Sequence, residues 1–324
     1  PATFAIINDA AVKAPLAPEP FLVRGVQAAL NGNSNLSAQA FGAAEWRDPR
    51  SLPARYFLAD IYYRAGDPRR TLDQIGTLAR LTPNGAQTIA PYLAAYAKNR
   101  SAWPYLRSLF RSNPGLADAS LTQLGHDPAN ADAVVALADM GSAAGSQWAP
   151  TLVNTLVSAG QYAKARAFWA ATSHVRIPPE ITLYDSAFAD STSHPPFNWS
   201  LISSTVGLAE REAGGRLHVI YYGQENGVLA QQLILLPPGA YRLTMALAGD
   251  LSRAKAMNWS VRCDGSSKPF ASVGLDAAAR GWIFAVPPDC AAQWLELSGA
   301  AADISQQTDV TISNLQLVRV QPNG

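Results

Sequence analysis

The stretch Leu58-Ala59-Asp60-Ile61-Tyr62-Tyr63-Arg64-Ala65-Gly66-Asp67-Pro68 reads as the end of one helix, a tight turn and the start of a second helix. Leu58, Ala59 and Tyr62 recur at helical spacing and form an apolar stripe. Gly66 stands where the chain must turn, because a residue without Cβ takes a positive φ at no steric cost. Asp67 is then the N-cap and Pro68 the first turn of the second helix, whose Ile75 and Leu78 complete the core. Outward from here, Gly32 precedes Gly66 by 34 residues, and each glycine is followed 17 residues later by a proline, Pro49 and Pro83. A fixed period of this length is the mark of stacked helix pairs.

In the first pair Gly25 supplies a small residue, while Phe41 and Ala44 supply one bulky and one small residue for close packing. The motif Leu58-Ala59-x-x-Tyr62-x-x-x-Gly66, closed by Pro83, resembles the tetratricopeptide family. Leu152…Gly160-x-x-x-x-Ala165-x-x-x-Trp169 repeats its offsets, with the closing proline displaced to Pro178. Residues 84–145 keep helical spacing in Tyr92-Leu93-x-x-Tyr96 and Trp103-x-x-Leu106-x-x-x-Phe110 but lose the glycine. In that family the first helix of each pair lines a concave surface. The resemblance therefore implies a protein-binding groove on Tyr56, Asp60, Tyr63 and Arg64, continued by Glu19, Leu22, Val26 and Leu30. The alternative is that these are ordinary solvated or inter-repeat side chains.

At Ile177-Pro178-Pro179 the periodicity changes to strict alternation, punctuated by turns such as Pro237-Pro238-Gly239 and Pro287-Pro288-Asp289. About nine strands follow, the pattern of an all-β sandwich: 183–188, 197–201, 216–222, 228–236, 241–248, 257–263, 281–286, 293–298 and 310–320. Alternation sends Tyr241, Leu243, Met257, Trp259, Val261, Leu295 and Leu297 inward, and Arg242, Asn258, Arg262, Trp294 and Glu296 outward. A tryptophan on a polar strand face either offers a stacking platform for a sugar ring or is covered by another part of the chain. The series Tyr184-Asp185-Ser186-Ala187-Phe188, Gly239-Ala240-Tyr241-Arg242-Leu243 and Asp309-Val310-Thr311-Ile312-Ser313-Asn314-Leu315 resembles the jelly-roll carbohydrate-binding modules. That resemblance implies a glycan site on Trp294, Glu296, Arg242, Asn258 and Arg262. It also implies a structural calcium held by a glutamate, a position filled here by Ala189 with Asp190 one later. No cofactor and no other metal is expected.

Composition bounds the remainder. The charged fraction is 15% and the hydrophobic fraction 48%, which describes a globular chain. Residues 1–178 carry a net +5 and residues 179–324 a net −4, neither of which suits a nucleic-acid partner. No apolar run reaches the ~18 residues of a membrane span. The chain opens at Pro1 without methionine or a basic leader, read as a processed N-terminus. The only two cysteines, Cys263 and Cys290, lie in the same half and are expected to form a disulfide in an oxidising compartment.

Catalytic motifs are missing from the sequence: no HExxH, CxxC, P-loop or Gly-x-Ser-x-Gly is present. Gly141-Ser142-Ala143-Ala144-Gly145 follows a helix, whereas a nucleophile elbow follows a strand. His126, His174, His194 and His218 have no ligand spacing; Glu225, Glu296, Asp303 and Asp309 could include a glycosidase pair, but any chain of this length supplies such carboxylates. The expected fold is an α-solenoid of tetratricopeptide-like pairs over 1–178 followed by an antiparallel β-sandwich over 179–324. The expected function is a non-enzymatic adaptor of the bacterial cell envelope, periplasmic or extracellular, that docks a protein and a glycan or second partner in polysaccharide production or export. A structural subunit of an envelope assembly is the alternative, and a polysaccharide-active enzyme a more remote one.

Overall fold

The computed structural model describes residues 12–178, 181–301 and 306–320, with Ile6, Asp9 and Ala10. Pro1, Pro179 and Asp303 lie outside the described residues. The chain divides into two compact units, Pro1–Leu152 and Val153–Gly324. This division falls earlier than the 178/179 boundary expected from the proline pair, because the last long helix packs within the second unit.

The first unit is built from helix pairs. Helices α1 (Glu19–Leu30) and α2 (Ser34–Arg47) form one pair, and α3 (Leu52–Arg64) and α4 (Pro68–Leu81) the next. The turns between partners are made by Gly32 and Gly66 at φ 72° and 71°. Asn33 and Asp67 cap the second helix of each pair by accepting the Leu36 and Arg70 N–H groups. Phe41 is fully buried beneath Gly25 and stacks on Phe57 at 4.6 Å. A polar bond set ties the pairs together: Arg55 Nη1 reaches Glu45 Oε1 at 2.8 Å and Gln74 Oε1 at 2.9 Å.

Beyond Pro83 the chain forms α5 (Gly85–Ala97), α6 (Trp103–Ser112), α7 (Pro114–Gly125) and α8 (Ala131–Leu137). Pairing is no longer strictly sequential, since α5 packs mainly on α7 instead of on α6. A 3₁₀ turn, Met140–Gly145, leads to α9 (Trp148–Ser158), and Gly160 at φ 70° leads to α10 (Tyr162–Thr172).

The second unit is a sandwich of two five-stranded antiparallel sheets. Its strands are β1 (Ser200–Leu201), β2 (Gly207–Glu212), β3 (Arg216–Tyr221), β4 (Gly227–Ile234), β5 (Gly239–Gly249), β6 (Met257–Cys263), β7 (Pro269–Gly274), β8 (Trp282–Val286), β9 (Gln293–Gly299) and β10 (Thr308–Arg319). One sheet has the order β1-β4-β9-β6-β7, the other β2-β3-β10-β5-β8. Trp259, Val261, Leu295 and Leu297 of the first sheet share one core with Leu217, Val219, Leu243 and Ile312 of the second. The sheets approach closely at Gly299, where a Cβ would enter the Tyr221 ring.

The expected strand 183–188 is not formed. Asp185 and Phe188 take positive φ of 45° and 52°, and the Asp185 carboxylate accepts the N–H groups of Ala189 and Asp190 in place of a ladder. Of 197–201 only Ser200–Leu201 pairs, with β4. Phe188 and Trp199 still reach the core, their rings 5.2 Å apart. Helix α10 completes this unit. Trp169 meets Tyr184 edge-on at 5.1 Å and donates its indole N–H to the His194 carbonyl at 2.6 Å.

Candidate binding surfaces

On α3 Ala54, Leu58 and Ala59 are buried and Arg55 and Phe57 are engaged by neighbouring helices, while the face that carries Tyr56 and Tyr63 is open to solvent. Tyr56, Asp60, Tyr63 and Arg64 stand at i, i+4, i+7 and i+8 and share one face. Tyr56 and Tyr63 are 66% and 64% exposed, and Arg64 Nε binds Asp60 Oδ1 at 3.0 Å between them. The tyrosine surface continues further than the sequence reading placed it. Tyr92 of α5 is 73% exposed. The Tyr96 hydroxyl, one turn on, has its pKa raised by burial and by the neighbouring Tyr63 and Tyr105 hydroxyls. The signal for this extension was present in Tyr92-Leu93-x-x-Tyr96, whose buried member is Leu93. In the first pair Val26 and Leu30 are exposed and Leu22 is half-buried.

The sandwich residues do not all meet. Arg262 and Trp294 are cross-strand neighbours on β6 and β9, and Asn258 faces Ser298 two rows away. Arg262 lies with its guanidinium carbon 5.6 Å from the Trp294 ring centre and donates to Glu296 Oε1 at 2.9 Å. Glu296, expected outward and solvated, is instead buried because this guanidinium covers it. The Trp294 indole N–H donates to Asp264 Oδ1 at 2.8 Å, and the Tyr162 hydroxyl of α10 donates to the other oxygen at 2.9 Å. Burial, aided by this carboxylate, raises the Tyr162 pKa. Trp294 itself is half-buried. Arg242 does not join the group. It is exposed on β5 of the opposite sheet, between Ile283 and Val318.

The cysteines are joined, Cys263 at the end of β6 to Cys290 before β9, with Cα atoms 5.4 Å apart.

The opening loop of the sandwich does not fit a calcium ion. Both carboxylates that could hold one are committed to donors. Asp190 accepts from the Tyr184 hydroxyl at 2.7 Å and from Thr192 and Ser193. Burial opposes its ionisation, but the hydrogen bonds from Ser193, Tyr184 and Thr192 hold its carboxyl well below the usual range. Tyr184 is correspondingly pushed up to about 12, by burial first and then by Asp190. Asp185 Oδ2 is met by Arg211 Nη2 at 3.3 Å, which places a guanidinium where a cation would sit.

No constellation for catalysis is assembled among the described residues. Ser142 lies in a 3₁₀ turn. Glu296 and Asp309 belong to opposite sheets, and Glu225 accepts the Thr205 hydroxyl. His218 on β3 bridges Glu210 Oε1 at 3.2 Å and Asp309 Oδ1 at 3.0 Å. No group of three or more metal-ligating side chains occurs among the described residues.

No family model matches the chain, and no curated protein does. Solved structures resemble each half. YrrB, a tetratricopeptide protein with an unusual peptide-binding site, is 13% identical over 52% of this chain and 92% of its own, with a TM-score of 0.27. TTC0263, a thermophilic tetratricopeptide protein of Thermus thermophilus, is 23% identical over 49% of this chain and 91% of its own, with a TM-score of 0.22. The carbohydrate-binding module CBM4 is 10% identical over 43% of this chain and 99% of its own, with a TM-score of 0.30. The chain is thus similar to tetratricopeptide proteins in its helical half and to a jelly-roll module in its β half. At these identities and scores the likenesses carry no information about ligands.

Proposed function

We propose that the protein is a non-catalytic adaptor of the bacterial cell envelope whose helical repeats hold a protein partner and whose sandwich takes a glycan, in polysaccharide production or export. The observation that carries the protein-binding reading is the tyrosine surface of Tyr56, Tyr63, Tyr92 and Tyr96. Tyrosine is enriched at interfaces because it brings large contact area and a polar tip at low entropic cost. Three of these rings are more than half exposed in the absence of a partner, and Asp60 and Arg64 add charge of both signs beside them. Photo-crosslinking of the full chain in envelope extract tests the reading. Tyr56→Ser with Tyr63→Ser is expected to lose the captured partner; capture at parental yield would sink it.

The Cys263–Cys290 bond supports an oxidising compartment. Among the described residues no helix is long and apolar enough to cross a membrane. For the sandwich, Trp294 supports the glycan reading through the ring surface it leaves exposed. Trp294→Phe keeps a ring and Trp294→Ala removes it, so array binding that survives in phenylalanine alone is the expected result. Retention by the alanine variant would exclude the platform.

A further inference from the structure

The edge of a β-sheet presents unpaired N–H and C=O groups to any extended chain, and folds that stay monomeric guard such edges with short strands, charges or proline. The sandwich has its edges at β1, β7, β2 and β8. Three of them are guarded. β1 is only two residues long, β2 carries Glu210-Arg211-Glu212, and β7 opens on Pro269. β8, Trp282-Ile283-Phe284-Ala285-Val286, has no guard of any of these kinds. Among the described residues, no hydrogen bond outside its ladder to β5 engages this strand.

The outer surface beside this edge is apolar. β8 buries Trp282, Phe284 and Val286 in the core and turns Ile283 and Ala285 outward. Ile283 begins a cross-strand row that runs through Arg242 of β5 to Val318 of β10, and Ile283 and Val318 are 52% and 50% exposed. Ala285 begins the next row, beside Ala240, whose carbonyl accepts the Val320 N–H. Arg242 is the one charged side chain in these two rows. The strand that matches the edge best is β8 itself. Gly281 at φ 101° and Pro287 bound the extended run, so antiparallel pairing centred on Phe284 is the register that engages all five residues. It sets Ile283 opposite Ala285 of the second copy, a large side chain beside a small one, and keeps Trp282, Phe284 and Val286 of both copies on the core face. The two Arg242 groups then stand three strand spacings apart, roughly 14 Å, which is beyond the Debye length at physiological salt. No like charges oppose the contact.

We propose that two copies of the protein associate through β8, antiparallel and about a two-fold axis, so that their outer sheets become one continuous sheet. A two-fold contact uses the same surface on both sides and therefore closes at a dimer. One short strand with its outward side chains buries less than the ~1,200 Å² of a permanent complex, so the dimer is reversible, with a dissociation constant expected in the micromolar range. The contact lies on the sheet opposite Trp294, and it stands or falls independently of the tyrosine surface and of the glycan reading.

Sedimentation equilibrium of the full chain, loaded from about 1 μM to about 1 mM, tests the proposal. The parent is expected to show a reversible monomer–dimer equilibrium. Ile283→Lys combined with Ala285→Lys sets like charges across the two-fold and is expected to weaken association by at least about tenfold. Ile283→Lys combined with Ala285→Glu sets opposite charges across the same two-fold and is expected to associate at least about fivefold more tightly than the double-lysine variant. Both positions are exposed, so the melting of the β signal in each variant should stay close to that of the parent. A parent that remains monomeric at every concentration, a double-lysine variant that associates like the parent, or a lysine–glutamate variant no tighter than the double-lysine one would overturn the proposal.

Discussion

Gly25 and Gly42 are both helical glycines of the first pair, and the same substitution should move them in opposite directions. Alanine in place of glycine inside a helix stabilises by about 1 kcal/mol through propensity. At Gly42 nothing lies within 4 Å of the added methyl, so that gain is free. At Gly25 the methyl would stand 2.6–2.7 Å from three carbons of the Phe41 ring. Normal contact is roughly 3.5–4.0 Å, so about 1 Å of overlap must be relieved. Phe41 cannot give way, because it is fully buried and its ring stacks on Phe57 with an 8° interplanar angle. Helix α1 must instead lift from α2. That overpacking costs ~1–3 kcal/mol. It also stretches the bond from the Ser37 hydroxyl to the Gly25 carbonyl, now 2.9 Å, for about 1 kcal/mol more.

After the propensity gain, Gly25→Ala should destabilise by about 2 kcal/mol and Gly42→Ala stabilise by about 1 kcal/mol. In a unit of this size that is a fall of roughly 4–8 °C against a rise of roughly 2–4 °C in the melting of the helical signal at 222 nm. If both variants raised the midpoint, close packing at Gly25 would be refuted as the reason the position holds glycine.

Replacing both Cys263 and Cys290 with serine should lower stability by about 3.5 kcal/mol in the chain-entropy model, since the bond closes a span of 27 residues; a urea midpoint of the β signal equal to the parent's would contradict this. His218 should titrate above its usual value: burial works against the imidazolium, but the hydrogen bonds and charges of Glu210 and Asp309 outweigh it. Its contribution is thus full below the unfolded pKa of about 6.5 and is lost as pH rises through the higher folded value. NMR titration should show that value falling in Glu210→Gln and unchanged in the distant Glu225→Gln. Arg211→Ala strands the Asp185 carboxylate, whose side chain is 4% exposed, and should cost about 3 kcal/mol at neutral pH. Burial already raises the Asp185 pKa, so this loss should shrink as the medium is acidified and the carboxyl protonates; a loss that grows towards acid pH would count against the assignment.

The parts of the fold that could be read from sequence are those fixed by local rules. Gly32, Gly66, Asp67 and Pro68 declare turn, cap and first turn within a few residues of one another, and seven of the nine expected strands form with shifts at their ends. The edge strands β2 and β7 escaped because Glu210-Arg211-Glu212 and Pro269 lack an apolar alternation, as edges are free to do. Leu183–Phe188 lacks a clean apolar–polar alternation, and it is held in turns by the Asp185 side chain. The α5–α7 pairing depends on contacts beyond a single helical hairpin, which no period encodes. For the sites, helical spacing sufficed to place the α3 tyrosines together. Alternation correctly sent Arg242 outward, but it says nothing of which sheet a strand joins, and this strand joined the other one.

The same distinction between local and distant contacts bears on how Trp294 could serve a glycan. Its outward placement follows from the alternation of β9, but its partners come from Asp264, 30 residues away, and through it from Tyr162, a further 102. With the indole N–H and both Asp264 oxygens spent, that end of the ring fastens α10 to the strand. With Arg262 beside the ring and bound to Glu296, that guanidinium is already saturated by a buried carboxylate. A sugar would therefore gain from Trp294 only stacking on the exposed part of the ring. Its hydroxyls would turn to the next rows of the sheet, where Gln231, Asn258 and Ser298 remain partly open. Arg262→Lys separates these roles. It weakens the fork on Glu296 and costs stability, yet it should leave glycan affinity within about twofold, since the role of that guanidinium is internal.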